Sequence, residues 1–152
     1  IPTIIKLLCL HGSEQSAEIF RTKIGRFPNK AKKANIQLTF MDAIHELPLR
    51  EGNETALRTW YLRNECGDAQ RSVIPASLEL SLEVIEKVWD SEGPFNGILG
   101  FSQGGAMATV IASHPHRFPG LKFVICCGAP NNLSTPDENY VVKQGIPKNI
   151  AR

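Results

Sequence analysis

Gly97-Ile98-Leu99-Gly100-Phe101-Ser102-Gln103-Gly104-Gly105-Ala106 is the stretch whose reading decides the fold. It is an apolar strand that ends in Gly-x-Ser-x-Gly and runs directly into a helix of small residues, through Met107-Ala108-Thr109-Val110-Ile111-Ala112-Ser113. A serine at a sharp strand-to-helix turn has its hydroxyl lifted clear of the sheet. Side chains at 100 and 104 would collide with neighbouring backbone in such a turn, so glycine is expected at both. The following helix N-terminus brings the backbone N–H of Gln103 to where a developing negative oxygen would sit. Gly and Ser are common residues, so the five-residue pattern alone says little. Its position between an apolar strand and a small-residue helix makes Ser102 the candidate nucleophile.

The rest of the chain is consistent with one domain around a real core. It has 152 residues, 42% hydrophobic and 21% charged, which is the composition of a globular chain. A net charge of +2 is too small to target nucleic acid or an acidic membrane surface. Lys30, Lys32 and Lys33 cluster at a predicted helix end, where cations favour the dipole. No apolar run approaches a membrane span. The opening Ile4–Leu10 run leads into His-Gly and reads as a first core strand, not a signal peptide. The chain begins at Ile1, which reads as a fragment at that end. Of four cysteines, Cys9, Cys126 and Cys127 are expected as small core hydrophobes and Cys66 in a polar loop. No pair has zinc-ligand spacing, so neither metal nor disulfide is expected, and reduced thiols point to a cytoplasmic compartment.

Strand and helix patterns alternate. Ile4–Leu10 is a continuous apolar run, as in a strand buried on both faces. Residues 16–33 have helical spacing through Ile19, Phe20 and Ile24, with a break or bend expected at Gly25 and Pro28. Ile36–Met41 is a second strand. Residues 43–76 have no clean period and read as a long excursion, either functional or holding short helices. Leu78, Leu82, Ile85 and Trp89 define a helix over Ser77–Trp89, with Ser77 as a plausible N-cap. Phe95–Phe101 and Lys122–Cys127 are the third and fourth strands, separated by a helix over Gln103–Ser113. Thr135-Pro136-Asp137-Glu138 fits a capping box. Repeated strand–helix–strand units imply a parallel sheet with helices on both faces.

The first strand ends in His11-Gly12-Ser13. In a sheet of this kind, the turn after that strand brings a second backbone N–H beside the nucleophile. Gly12 permits the close approach, the N–H of Ser13 is the candidate second donor, and His11 is expected to orient the turn by hydrogen bonding.

Leu8-Cys9-Leu10-His11-Gly12, Gln15-Ser16-Ala17-Glu18-Ile19-Phe20 and Gly97–Gly104 together resemble the FSH family of serine hydrolases. These are small eukaryotic α/β-hydrolases, the group of the ovarian-cancer-associated hydrolase. Asp42-Ala43 and Arg58-Thr59-Trp60-Tyr61 are also similar to that family. Acyl-protein thioesterases share a similar Gly-Phe-Ser-Gln-Gly-Gly, and the Gln-Ser-Ala-Glu-Ile-Phe helix start favours the FSH group. The resemblance implies an α/β-hydrolase-like parallel sheet and a carboxylesterase or thioesterase. It would act on a small-molecule acyl ester or thioester through a Ser–Asp–His triad with no cofactor. Substrate identity and oligomeric state have no signature.

One departure matters. In this fold the acid and then the histidine follow the nucleophile. The only later histidines, His114 and His116, lie at the far end of the helix that starts at Ser102. Twelve residues at about 1.5 Å each put His114 roughly 18 Å away, too far for proton transfer. His45 comes from the wrong part of the chain. Asp137 could be the acid, but a carboxylate in a first helical turn reads better as a cap. The resemblance puts the acid after the next strand and the histidine in a later loop, whereas this sequence stops at Arg152. The expectation is therefore a sheet incomplete at the C-terminus, poorly stable alone through exposed apolar sheet and an open edge.

Trp60 and Tyr61 fall in the excursion, above the strand ends where open α/β sheets bind ligands. They are candidates either for lining an acyl pocket or for pinning the excursion to the core. The main alternative to a hydrolase is a truncated or degenerate non-catalytic binding module of the same fold. A nucleotide-binding oxidoreductase is disfavoured, because Gly-x-Ser-x-Gly-Gly is not Gly-x-Gly-x-x-Gly and does not follow the first strand.

Overall fold

A computed structural model describes residues 2–64 and 72–129. The apolar runs form a four-stranded parallel sheet. Its strands are β1 (Ile5–Leu10), β2 (Ile36–Met41), β5 (Gly97–Phe101) and β6 (Phe123–Cys127), in the order β2-β1-β5-β6. Between them lie α1 (Ala17–Lys23) and α2 (Phe27–Lys33), α3 (Pro75–Glu92) and α4 (Gln103–Ala112). The excursion contains a two-stranded antiparallel ribbon, β3 (His45–Glu46) with β4 (Arg58–Thr59), rather than short helices.

Alternation along the strands separates two apolar layers. Leu8, Leu10, Ile98 and Val124 pack with Leu82, Ile85 and Trp89 of α3 and Met107, Val110 and Ile111 of α4. Cys9 and Leu99 point the other way, onto Phe20 and Ile24 beside α1. Helices therefore cover both faces, the α/β-hydrolase-like arrangement. Trp89 and Phe95 are core residues, their rings meeting edge to face at 5.1 Å.

The register aligns the strand ends. Leu10 lies beside Met41 on one side and Gly100 on the other, and Phe101 lies beside Cys127. The loops that begin with His11, Asp42 and Ser102 thus leave the sheet at one carboxyl edge, where this architecture places ligands.

Local chemistry explains several boundaries. The helix over 16–33 is two helices, because Gly25 adopts φ +57°, a left-handed conformation that ends the first. Ser16 caps α1 by accepting the N–H of Ile19, and the Asp42 carboxylate accepts the N–H of Ala17. Lys30, Lys32 and Lys33 lie in or beside the last turn of α2.

Two expectations are corrected. Ser77 is not an N-cap: α3 starts at Pro75, whose fixed φ suits the first helical position, and Ile74 is the capping residue. The buried Ser77 hydroxyl instead donates to Ile74 O and accepts the N–H of Leu62. Cys126 and Cys127 are not core residues. Both are exposed, because β6 is an edge of the described sheet and its last three residues are left open to solvent among the described residues. Cys9 is buried as expected. Cys66, Asp137, the Thr135–Glu138 capping box and the C-terminal segment lie outside the described residues.

Candidate active site

The turn between β5 and α4 is held by backbone contacts. A Cβ on Gly100 would fall against the Gly104 carbonyl and 2.6 Å from Gly105 Cα. A Cβ on Gly104 would lie 2.5 Å from His11 O and 2.7 Å from Leu10 C. Glycine is therefore required at both positions: β5, α4 and the end of β1 approach within backbone contact. Ser102 takes the bend itself, at φ 51° and ψ −116°. This conformation is costly for a residue with a Cβ, by about 1–3 kcal/mol, and persists only where the surroundings enforce it. Its amide donates to Cys127 O at 2.8 Å, and its carbonyl accepts the N–H groups of Gly105 and Ala106. Ser102 stands at the N-cap of α4, yet its hydroxyl makes no capping bond. The side chain is half-buried and not locked into the helix.

The Gln103 N–H opens α4, where no preceding turn supplies a carbonyl. On the other side of Gly104, the loop after β1 carries Gly12 and Ser13. A Cβ on Gly12 would meet the Phe101 ring at 3.1 Å and Gln15 Oε1 at 3.2 Å, so the loop lies close over the residue before Ser102. Gln15 Oε1 accepts the Gly12 N–H at 2.9 Å and tightens this turn. Ser13 is exposed, and its hydroxyl lies 3.4 Å from that of Thr59.

His11 is fully buried beneath this loop. Its Nε2 accepts the amide of Ala43 at 3.0 Å, so the proton is on Nδ1, which donates to the Gly12 carbonyl at 2.7 Å. Burial pushes the imidazole below its ordinary pKa, against the opposing influence of the Gly12 bond and Asp42. A neutral His11 with both nitrogens engaged orients the turn. The other histidines are elsewhere: His45 donates to Ser77 O, His114 Nδ1 is engaged by Val110 O at the end of α4, and His116 is exposed beyond it. Among the described residues, none is hydrogen-bonded to Ser102.

Trp60 and Tyr61 are buried in the main core. The Trp60 indole N–H donates to His11 O at 2.8 Å, and its ring lies 5.2 Å from the imidazole. These contacts pin the excursion beneath the site.

The Gln103 side chain is the residue that sequence reasoning missed. It is buried, accepts the Trp60 amide on Oε1 at 2.8 Å, and donates from Nε2 to the Thr59 hydroxyl at 2.7 Å. The Gln-Gly-Gly pattern points to a role for its backbone N–H; nothing in helical periodicity signals a side-chain bond across 44 residues.

Among the described residues, no group of three or more His, Cys, Asp or Glu could hold a metal ion, and no helix is long and apolar enough to cross a membrane.

Comparison with known proteins places these features in context. The profile of the serine hydrolase (FSH1) family matches residues 2–148. The mouse protein Esterase OVCA2 is 31% identical over 155 residues, spanning 87% of this chain and 68% of its own length. Esterase C25G4.2 of Caenorhabditis elegans is 28% identical, spanning 91% of this chain but 65% of its own length. For human Esterase OVCA2 the identity is 30%, over 80% of this chain and 62% of that protein. The chain thus spans about two thirds or less of the length of most of these relatives. Among solved structures, maize acyl-protein thioesterase 2 superposes with a TM-score of 0.55 at 15% identity, covering 83% of this chain and 57% of that one. A leucine-to-alanine variant of Arabidopsis thaliana SOBER1 superposes at 0.51 with 18% identity, covering 82% and 73%. At these identities the superpositions speak to the fold, which they share.

Proposed function

This chain belongs to the serine hydrolase (FSH1) family, and on that premise we propose that Ser102 is the nucleophile of an esterase acting on small-molecule acyl esters or thioesters. The observation that carries the reading is the strained, uncapped Ser102 at the first turn of α4. In a nucleophile elbow the strain has a use: it holds the hydroxyl away from the helix it would otherwise cap.

The turn geometry supports the following chemistry. Ser102 Oγ attacks the acyl carbonyl and gives up its proton to a general base. The carbonyl oxygen becomes an oxyanion that accepts the N–H groups of Gln103 and Ser13. Collapse expels the alcohol or thiol, which takes a proton, and leaves an acyl group on Ser102. Water then attacks this ester, and a second collapse releases the carboxylate and restores the hydroxyl. His11, Gly12, Gly100 and Gly104 shape the two turns. None of the four histidines is hydrogen-bonded to Ser102, which supports a proton acceptor and carboxylate partner from outside the described residues. The reading for these residues is the nucleophile and oxyanion half of the reaction.

A fluorophosphonate probe tests this. Ser102 should be modified ahead of every other serine, as mapped by mass spectrometry, and Ser102→Ala should abolish the adduct. Indiscriminate labelling, or none at Ser102 either in this chain or in a C-terminally extended one, overturns the reading and favours a binding module.

A further inference from the structure

Arg58-Thr59-Trp60-Tyr61 has no part in the chemistry above, yet each of its residues reaches into the site. The Arg58 amide donates to Gln15 O at 2.8 Å. The Trp60 indole donates to His11 O at 2.8 Å, and the Trp60 amide to Gln103 Oε1 at 2.8 Å. Tyr61 O lies 3.2 Å from the Thr59 hydroxyl and 3.4 Å from Gln103 Nε2. The segment is thus stitched to the loop after β1 on one side and to the residue after Ser102 on the other.

One atom joins the two sides. Thr59 Oγ1 lies 2.7 Å from Gln103 Nε2, 2.9 Å from Gln103 Oε1, 3.4 Å from Ser13 Oγ and 3.2 Å from Tyr61 O. A hydroxyl has one proton to give and two lone pairs to fill. Accepting from Gln103 Nε2 and from the Ser13 hydroxyl fills the lone pairs, and the one proton is shared between Gln103 Oε1 and Tyr61 O. Thr59 is buried, and no buried side-chain polar atom among the described residues lacks a partner. The network is closed, as buried polar networks must be to hold a single geometry.

We propose that Thr59 is a positioning residue: its hydroxyl couples the Gln103 side chain to the Ser13 loop and so holds the two oxyanion amides in register. The inference rests on the esterase reading for its consequence and on the hydrogen-bond geometry for its substance. The amides of Ser13 and Gln103 come from loops 90 residues apart, on opposite sides of Gly104. The contact of Gly104 with the end of β1 and the two Trp60 bonds hold the loops together, and Thr59 adds the link that reaches Ser13 itself; an oxyanion hole tolerates little error, since a displacement of about 1 Å can cost on the order of 10²-fold in rate.

Thr59→Val removes the hydroxyl at nearly constant volume, and Thr59→Ser keeps it. Two measurements distinguish positioning from plain stability. In fluorophosphonate inactivation of Ser102, Thr59→Val should lower the maximal rate constant about tenfold or more while the half-saturating concentration changes less than about twofold; Thr59→Ser should restore the rate. Amide hydrogen exchange at residues 12–15 and 103–105 should rise about tenfold in Thr59→Val, with the strand amides of β1 and β5 unchanged. An unchanged rate constant in Thr59→Val, or a Thr59→Ser variant as slow as Thr59→Val, overturns the proposal, as does unchanged exchange at both loops. If Thr59→Val does not fold, Ser13→Ala decides. It removes only the exposed end of the network and leaves the Ser13 amide in place, and a rate constant and loop exchange equal to wild type overturn the coupling. Should Ser102 of the wild-type chain take no adduct, the exchange comparison alone decides the role of Thr59, and the esterase reading is decided separately by labelling of a C-terminally extended chain.

Discussion

The imidazole Nε2 of His11 accepts the backbone N–H of Ala43 at 3.0 Å, joining the loop after β1 to the loop after β2. The bond exists only while Nε2 is unprotonated, because a second proton would face the Ala43 N–H donor to donor. Burial already holds the imidazole below its ordinary 6.5. The sign follows: between 6.5 and the lower folded value, the unfolded chain binds more protons than the folded one, so stability rises with pH. The contribution is complete above 6.5 and is lost as pH falls through that window toward the folded pKa. The urea midpoint should drop below pH 6.5, with a limiting slope for one proton of about 1.4 kcal/mol per pH unit. His11→Asn should lower stability throughout and flatten the slope in that range. Parallel pH profiles for the two proteins would remove His11 as the titrating group.

Gly100→Ala should be among the most damaging single-methyl additions in the chain. The added carbon meets backbone of Gly104 and Gly105, and neither can move without shifting the start of α4. Overpacking of this kind costs about 1–3 kcal/mol, and more where backbone is the obstacle. Gly25→Ala is the control: nothing lies within 4 Å of the added carbon, and only the left-handed φ of +57° opposes it, at about 1–2 kcal/mol. Thermal unfolding ranks the pair, and fluorophosphonate labelling separates them, since only the change at position 100 displaces Ser102. A Gly100→Ala protein that is labelled like wild type would show that the turn yields more readily than its contacts indicate.

What could be read in advance was whatever is encoded by local pattern. Ile36–Met41 is a strand over the same residues in sequence and structure, because Ile36-Gln37-Leu38-Thr39-Phe40 alternates apolar and polar residues, the period of a half-buried strand at the sheet edge. The Gly100–Ser102–Gly104 turn was legible for a similar reason: its demands are steric and fall on neighbouring residues. Ser77 shows where pattern fails. Its spacing from the apolar stripe fits a cap, but Pro75 starts the helix two residues earlier and tertiary burial gives the hydroxyl other partners. The exposure of Cys126 and Cys127 depends on which strands lie beside β6, which no window of sequence around them states. Gln103 is the extreme case, because its side-chain partners belong to the aperiodic excursion and only the folded chain brings them together.

The cysteines should divide sharply by reactivity. Burial pushes the Cys9 thiol up to about 12, so it holds its proton at any ordinary pH and lies behind the apolar layer of Phe20 and Leu99. The thiolate is the reacting species, and Cys9 is short of both thiolate and access. Cys126 and Cys127 are exposed at the end of β6. Iodoacetamide at pH 8 should alkylate Cys126 and Cys127 in the native protein and reach Cys9 only after denaturation. Native-state alkylation of Cys9 at a comparable rate would mean that the layer between α1 and the sheet opens readily.

Arg117 ties the turn after α4 to α3 and should be worth more than an ordinary surface charge. Its Nη2 lies 2.8 Å from Glu79 Oε1 and 2.6 Å from Glu86 Oε2, and Nη1 lies 3.2 Å from Glu79 Oε2. The grip on Glu79 is bidentate, and the three side chains are 24%, 31% and 31% exposed, so solvent screens them only in part. Hydrogen bonding to Glu86 raises the guanidinium pKa further, which keeps the charge at all accessible pH. Isolated exposed pairs contribute about 0–1 kcal/mol, whereas forked, partly buried ones reach the upper part of that range or beyond. Arg117→Met should therefore destabilise by about 1–2 kcal/mol. Arg117→Lys should recover less than half of this, because an ammonium cannot reproduce the fork. The decisive number is the coupling energy of the double-mutant cycle with Glu79→Gln, expected above about 0.5 kcal/mol. A coupling near zero would mean that the methylene packing of Arg117 on α3, and not its charge, joins the two elements.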